Sequence, residues 1–295
     1  MKLWLLSHLK SSPGNRLMEE AAYRAGHDMR LVHPLQLSIE FGERHTLFGG
    51  NSVSELPDRV FTRMGSSAPL EAFDALRQLE LHSIPCINSS ASLEVCRDKA
   101  RSLQVLAAAG VPIPRTVVVG REAPLQSCLP RIGSPPWILK LSVGTQGTGV
   151  ARVDSVASLR TMVDLLRGLG ERVLVQQFVA EAKGTDVRVL VVGGQAVAAM
   201  QRRAKGDEIR SNLHLGGTSE GIALTPTMTR VAEKAAKAVG LDVAGVDLLP
   251  SKDGPVVCEI NGSPGLEGLA AATGRDLAGE LLSFLTRPLP KTGSP

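Results

Sequence analysis

Apolar and polar positions fall into three successive rhythms along this chain. Residues 3–7 form a short, nearly unbroken apolar run, the pattern of a strand buried on both faces. Residues 15–25 carry Leu17, Ala21, Ala22 and Ala25 at helical spacing and stop at Gly26, a residue that ends helices readily. Strands at 29–33 and 59–63, a helix at 70–82 and a strand at 84–87 follow. Strand–helix–strand order predicts a small, mostly parallel α/β unit. The turn after the first strand reads His-Leu-Lys-Ser-Ser-Pro-Gly. It lacks the GxGxxG spacing of a dinucleotide site.

The second rhythm begins at Asp98, which is placed to cap a helix running to Ala109; Gly110, Pro112 and Pro114 end it. A strand at 116–119, a Pro-rich loop, a strand at 137–141, a Gly-rich loop at 144–149, another short strand and an amphipathic helix at 156–169 complete this stretch. The third is richer in strands, at 173–178, 186–192 and 196–202. Thr225-Pro226 then opens a helix to 239, with proline at its favoured first position. Strands at 243–249 and 256–261 close the pattern, joined by a polar turn near Asp253-Gly254. The expected domains are 1–95, 96–172 and 173–295.

Composition narrows the classes. The 295 residues include 33 Lys+Arg against 29 Asp+Glu and 43% apolar residues, a globular balance with nothing of a disordered chain. The longest uncharged apolar stretch, near 189–200, is short and interrupted by glycine, so no bilayer-spanning helix is expected. Aromatic residues are 3% of the chain, too few to supply the stacking platforms of a nucleic-acid binder, and direct nucleic-acid binding is not expected. The four cysteines show no CxxC spacing and read as reduced thiols of a cytoplasmic protein.

The candidate chemistry is concentrated late in the chain. Asp247 lies in an apolar strand, and Glu259 and Asn261 are two residues apart in the next, so the latter two leave the same face. A turn centred on Asp253 sets Asp247 opposite Glu259. Two opposed carboxylates repel unless a cation or proton intervenes. Two readings stand on these residues alone: hard oxygen ligands for Mg²⁺ shared with phosphate, or carboxylates paired with Arg or Lys to hold the sheet. Lys140 precedes the loop Gly144-Thr-Gln-Gly-Thr-Gly149. Flanked by strands, that loop is no Walker A motif; it reads as a phosphate-covering flap or as a plain turn. Arg202, Arg203, Lys205 and Arg210 offer partners for carboxylate or phosphate, or a solvated face.

Taken in order, these motifs resemble the ATP-grasp ligases, specifically the RimK-type glutamate ligases. The matching strings are Arg97-Asp-Lys-Ala-Arg-Ser102, Lys140 with residues 144–149, residues 175–178, Glu181-Ala-Lys-Gly-Thr-Asp-Val-Arg188, Arg202-Arg-Ala-Lys205, Arg210-Ser-Asn-Leu-His214, residues 242–247, Glu259-Ile-Asn-Gly-Ser-Pro-Gly265 and Leu266-Glu-Gly268. Arg63-Met-Gly extends the likeness into the first unit. The resemblance implies an α/β fold with an N-terminal parallel domain beside two subdomains that clasp ATP. It assigns Lys99, Lys140, Gly144, Thr145, Gln146, Gly147, Gln177, Phe178, Asp186, Arg210, Ser211 and Asn212 to ATP. Arg210 and Lys140 also take the catalytic roles. Two Mg²⁺ (or Mn²⁺) ions fall to Asp247, Glu259 and Asn261, and the substrate carboxylate to Arg202, Arg203 and Arg63.

The implied reaction joins glutamate to a carboxylate through an acyl phosphate, with the C-terminus of a small-subunit ribosomal protein as acceptor. An amino-group carrier protein of lysine or arginine biosynthesis, or a cofactor, is the alternative acceptor; a ribosome-associated nucleotide-binding protein without turnover is the alternative class. Relatives form dimers or tetramers, so a homo-oligomer is expected. Two positions depart from the family pattern: Gln177 stands where Glu is usual, before Phe178 in place of Tyr, and Leu215 stands where several relatives carry Arg.

Overall fold

The computed structural model describes residues 1–42, 46–49, 55–144, 149–206 and 216–288. They divide into two compact units, one comprising Met1–Met64, Ala68–Ser90 and Gly265–Pro295, the other Gly65–Ser67 and Ala91–Pro264.

The first unit opens with β1 (Lys2–Ser7), α1 (Pro13–Arg24) and β2 (Asp28–Val32), continues through a small hairpin, β3 (Ser38–Glu40) and β4 (Thr46–Phe48), and then β5 (Arg59–Arg63), α2 (Ala72–Leu81) and β6 (Cys86–Ile87). The main sheet runs β2-β1-β5-β6 and all its pairings are parallel. Leu3, Trp4, Leu5 and Leu6 are at most 2% exposed, as a central parallel strand covered on both faces requires. Proline at the start of α1 and Gly26 at φ +73 just after its end explain the helix limits. The β3–β4 hairpin was not legible, since each strand is only three residues long.

The second unit begins with α3 (Ser90–Arg97) and α4 (Lys99–Ala108). The Asp98 carboxylate accepts hydrogen bonds from the amides of Ala100 and Arg101, the expected cap. Then come β7 (Thr116–Val119), α5 (Leu125–Ile132), β8 (Trp137–Leu141), β9 (Val150–Val153), α6 (Val156–Gly168) and β10 (Val173–Gln177). The stretch expected as a Pro-rich loop contains α5. Its Leu125, Cys128 and Ile132 are buried on one side, and that apolar stripe outweighs the hydrogen bond lost at Pro130.

This sheet is antiparallel, in the order β7-β10-β8-β9. Residues 173–177, which chain order assigns to the third domain, are its β10. Val173 and Val175 face a core with Trp137, Leu139, Leu159 and Ile132. Leu174 turns the other way, onto Ala100 and Leu103 of α4, so both faces carry apolar packing.

A second antiparallel sheet follows, built from β11 (Thr185–Val192), β12 (Gln195–Arg203), β13 (Thr218–Ile222), β14 (Val243–Leu249) and β15 (Val256–Asn261). The helix α7 (Pro226–Val239), numbered after α6, packs against β11, β12, β14 and β15 through the buried Ala232, Ala235, Ala236 and Val239. Small residues on that side let the helix lie close to the sheet. The chain returns to the first unit with α8 (Glu267–Thr273) and α9 (Leu277–Leu285), both against α1; the division by sequence had left this tail in the domain 173–295. No helix among the described residues is long and apolar enough to cross a membrane. The cysteines are free, and burial, with Glu80 and Glu259 respectively adding to it, pushes Cys86 and Cys96 up to about 12.

Candidate active site

The site grows from the register of three adjacent strands. Directly opposed residues in an antiparallel pair share a face of the sheet. Asp247 of β14 lies opposite Glu259 of β15 on one side and opposite Arg188 of β11 on the other. Asp186, two residues before Arg188, lies opposite Arg202 of β12. The face away from α7 therefore carries Arg202, Asp186, Arg188, Asp247 and Glu259 as one sheet of alternating charge. Gly245 opposes Asn261 in the same row. A Cβ on Gly245 would stand 2.8 Å from that of Pro264, so only glycine admits the loop that follows β15.

The charges are tightly paired. Arg188 grips Asp247 with both prongs, Nε to Oδ1 and Nη2 to Oδ2, each at 2.7 Å. Arg202 grips Asp186 in the same way at 2.7 and 2.6 Å, and its Nη2 also reaches Asp247 Oδ2 at 3.0 Å. Burial works to raise the Asp247 carboxyl, but Arg188 and Arg202 outweigh it and hold the group at about 2. The Arg202 guanidinium is correspondingly held above its ordinary value: burial opposes this, and Asp247 and Asp186 prevail. Glu259 is more open, its side chain 36% exposed.

Two lysines reach this face from the other sheet and its helix. Lys140 of β8 is 7% exposed, and its Nζ lies 3.4 Å from Cys258 Sγ. Burial pushes the Cys258 thiol up, with Lys140 opposing. Lys99 follows the Asp98 cap. Its backbone amide donates to Ser142 O, and its Nζ donates to Gly144 O at 2.8 Å and stands 3.7 Å from Glu259. Ser142 Oγ and Arg172 both donate to Asp98. One carboxylate thus ties the start of α4 to the base of the Gly-rich loop. Lys99, Lys140, Arg188 and Arg202 face Asp186, Asp247 and Glu259, four cations against three anions among the described residues. Such a face accepts a polyanion.

The expected residues fare differently. Lys99, Lys140, Gly144, Asp186, Arg202, Asp247 and Glu259 meet on this face, with Asn261 beside them. Gln177 ends β10 and Phe178 follows it: Arg115 Nε donates to Gln177 Oε1 at 3.1 Å, and the Arg152 guanidinium lies 5.1 Å from the Phe178 ring centroid. Arg203 points away from Arg202, with a side chain 60% exposed near Glu220. Arg63 belongs to the first unit, where its buried guanidinium lies against Gly14 beside Glu267. Burial lowers it below the usual arginine range, and Glu267 opposes. Thr145, Gln146, Gly147, Arg210, Ser211, Asn212 and Leu215 lie outside the described residues. Arg188 and Cys258 were not singled out. The period of two linking Arg188 to Asp186 was a usable signal; the bulge beside Cys258 was not.

Among the described residues, no three His, Cys, Asp or Glu side chains gather as metal ligands. The candidate set is instead two carboxylates and an amide. Asn261 Nδ2 is buried without a hydrogen-bond partner, so the protein does not fix which way the amide turns. Its oxygen is able to face the two carboxylates. A small all-oxygen set with open positions suits Mg²⁺ or Mn²⁺ shared with phosphates, and the residues fit such an ion once Asp247 yields part of its arginine pairing.

Two antiparallel sheets, one bringing a buried lysine and a glycine loop and the other a charged face, define an ATP-grasp enzyme. Residues 96–285 match the RimK-like ATP-grasp domain and residues 1–93 the RimK PreATP-grasp domain. The chain belongs to the RimK-like ATP-grasp family and is an ATP-dependent, ADP-forming ligase. It is 40% identical to a probable alpha-L-glutamate ligase of Thioalkalivibrio sulfidiphilus, over 97% of this chain and 95% of that one. A RimK domain ATP-grasp protein of Sphaerobacter thermophilus superposes with a TM-score of 0.76 at 26% identity, covering 97% of this chain and all of that one. The ATP-grasp ligase PsnB, solved with a phosphomimetic precursor variant, Mg and ADP, shares the fold at a TM-score of 0.74 and 20% identity, over 96% and 97% of the two chains.

Proposed function

We propose that this enzyme is an α-L-glutamate ligase that activates an acceptor carboxylate with ATP and joins it to the amino group of glutamate. A carboxylate is too poor an electrophile for an amine, so one acceptor oxygen first attacks the γ-phosphorus of ATP and ADP departs. The glutamate amine then attacks the acyl phosphate carbonyl, and phosphate leaves as the amide forms. The acceptor is a C-terminal carboxylate, that of a small-subunit ribosomal protein, and the reaction takes place in the cytoplasm, where free cysteines stay reduced.

The observation that carries this reading is the charged face on which Lys99, Lys140, Asp247 and Glu259 converge. Lys140 and Lys99 contact the ATP phosphates. Asp247, Glu259 and Asn261 hold two divalent ions, Mg²⁺ or Mn²⁺, which when bound offset the charge of the phosphates. Arg202 is the family-pattern candidate for the substrate carboxylate. The family resemblance assigns Arg210, Ser211 and Asn212 to the nucleotide and the Gly-rich stretch at 144–149 to keeping water from the acyl phosphate.

The test is phosphate release from ATP and Mg²⁺ across a panel of amino acids and acceptor peptides, with mass spectrometry of the product. Glutamate should support turnover and add its residue mass to the acceptor. Another amino acid succeeding where glutamate fails would overturn the specificity.

A further inference from the structure

We infer that Arg188 is the resident counter-ion of Asp247, and that a divalent cation takes Asp247 from it only when nucleotide phosphates are present to receive the released guanidinium. The inference deepens the metal reading above and rests on it.

Lone-pair arithmetic on Asp247 carries the argument. Each carboxylate oxygen accepts about two hydrogen bonds. Oδ2 already accepts from Arg188 Nη2, and Arg202 Nη2 crowds it as an ion-pair partner at 3.0 Å. Oδ1 accepts from Arg188 Nε and has one position left. A cation bridging Asp247 to Glu259 must therefore share Oδ1 with a guanidinium, or displace it.

Sharing sets a divalent ion beside a fixed positive charge in a site where the Asp247 side chain is 6% exposed and water screens poorly. Displacement of Arg202 is the harder route, because it also holds Asp186 with both prongs and is only 4% exposed. Among the described residues Arg188 has no second carboxylate in its grip, and it is the more open of the two, at 17%. Once released it needs a new anion, and on this face a phosphate is the anion that arrives with the metal.

The consequence is ordered loading: the metal alone binds weakly, and nucleotide strengthens it. The experiment measures Mn²⁺ affinity by electron paramagnetic resonance, with and without a non-hydrolysable ATP analogue, in the wild type, Arg188→Met and Arg188→Lys. Arg188→Met should bind Mn²⁺ alone about tenfold tighter or more, since a unit charge at the ligand is gone, and the analogue's strengthening effect should shrink. Arg188→Lys keeps the charge but loses the fork, and should stay within a few-fold of wild type.

As a check independent of folding, the Arg188 Nε–H resonance of ¹⁵N-labelled wild type should shift when Mg²⁺ and the analogue are added together and hold still with Mg²⁺ alone. If Arg188→Met binds Mn²⁺ alone no better than wild type, or the resonance holds still with both ligands, Arg188 is only a structural tie and the inference fails. Those results leave the metal reading intact. Wild type that binds no Mn²⁺ even with the analogue overturns the metal reading and this inference together.

Discussion

The two sheets of the second unit are both antiparallel and of similar size, yet they divide the work unequally. The sheet β7-β10-β8-β9 is sandwiched: α5 and α6 cover one face and α4 part of the other, and Lys140 is a charged residue that it brings to the candidate site. The sheet β13-β12-β11-β14-β15 has, among the described residues, the helix α7 packed behind it, and spends its other face on Arg202, Asp186, Arg188, Asp247 and Glu259. A sheet covered on both sides becomes scaffold. One covered on a single side retains a face for chemistry, provided its charges neutralise one another in the meantime.

That contrast is sharpest at Asp247. Replacing it with alanine should abolish ligation and also leave Arg188 as an uncompensated, largely buried charge while Arg202 keeps Asp186, costing about 3–5 kcal/mol. Glu259→Gln should abolish ligation as well, yet shift stability by less than about 1 kcal/mol, because Glu259 is 36% exposed and stands 3.7 Å from Lys99 rather than in a close two-pronged pair. Phosphate release and urea unfolding on the same samples separate the two effects. Equal destabilisation in both variants would erase the distinction between the locked and the open carboxylate.

In the scaffold sheet, Trp137→Ala should cost a comparable 3–5 kcal/mol, roughly, through cavity formation, while the folded fraction keeps its specific activity. A selective loss of ATP affinity there would show that this sheet does more than support. Gly149 has φ +74 and its Cβ position lies 2.8 Å from the Leu141 side chain, so Gly149→Ala should cost about 1–3 kcal/mol.

Acid offers a reversible version of the Asp247 experiment. Its folded value of about 2 lies below the ordinary 3.8, so its contribution to stability is complete above about pH 4 and is lost as the pH falls through 2. Unfolding midpoints followed across that window should decline, and a flat profile would mean that Arg188 and Arg202 do not hold the carboxylate. The smallest effect belongs to Arg203→Ala, within about 0.5–1 kcal/mol for an exposed pair. Arg202→Ala, one residue earlier, should behave like the Asp247 variant.

Much of this was legible before any coordinates. The apolar run at the start of the chain, the cap at Asp98, the Thr225-Pro226 helix start and the Asp247–Glu259 opposition all follow from periodicity and local turn chemistry, which act over a few residues. The three-residue hairpin strands and α5, with its proline, were hidden because tertiary packing stabilises them more than propensity does.

The sequence by itself therefore determined which residue types alternate on which strand face, because side-chain direction in a strand has a period of two and needs no partner to define it. Tertiary structure alone decided that 173–177 is the second strand of the sheet β7-β10-β8-β9, that residues from 265 onward join the first unit, and that Asp247 is held by Arg188 and Arg202. Each of these depends on pairings between segments far apart in the chain, and such pairings are chosen by the whole fold minimising exposed apolar surface and unpaired charge at once.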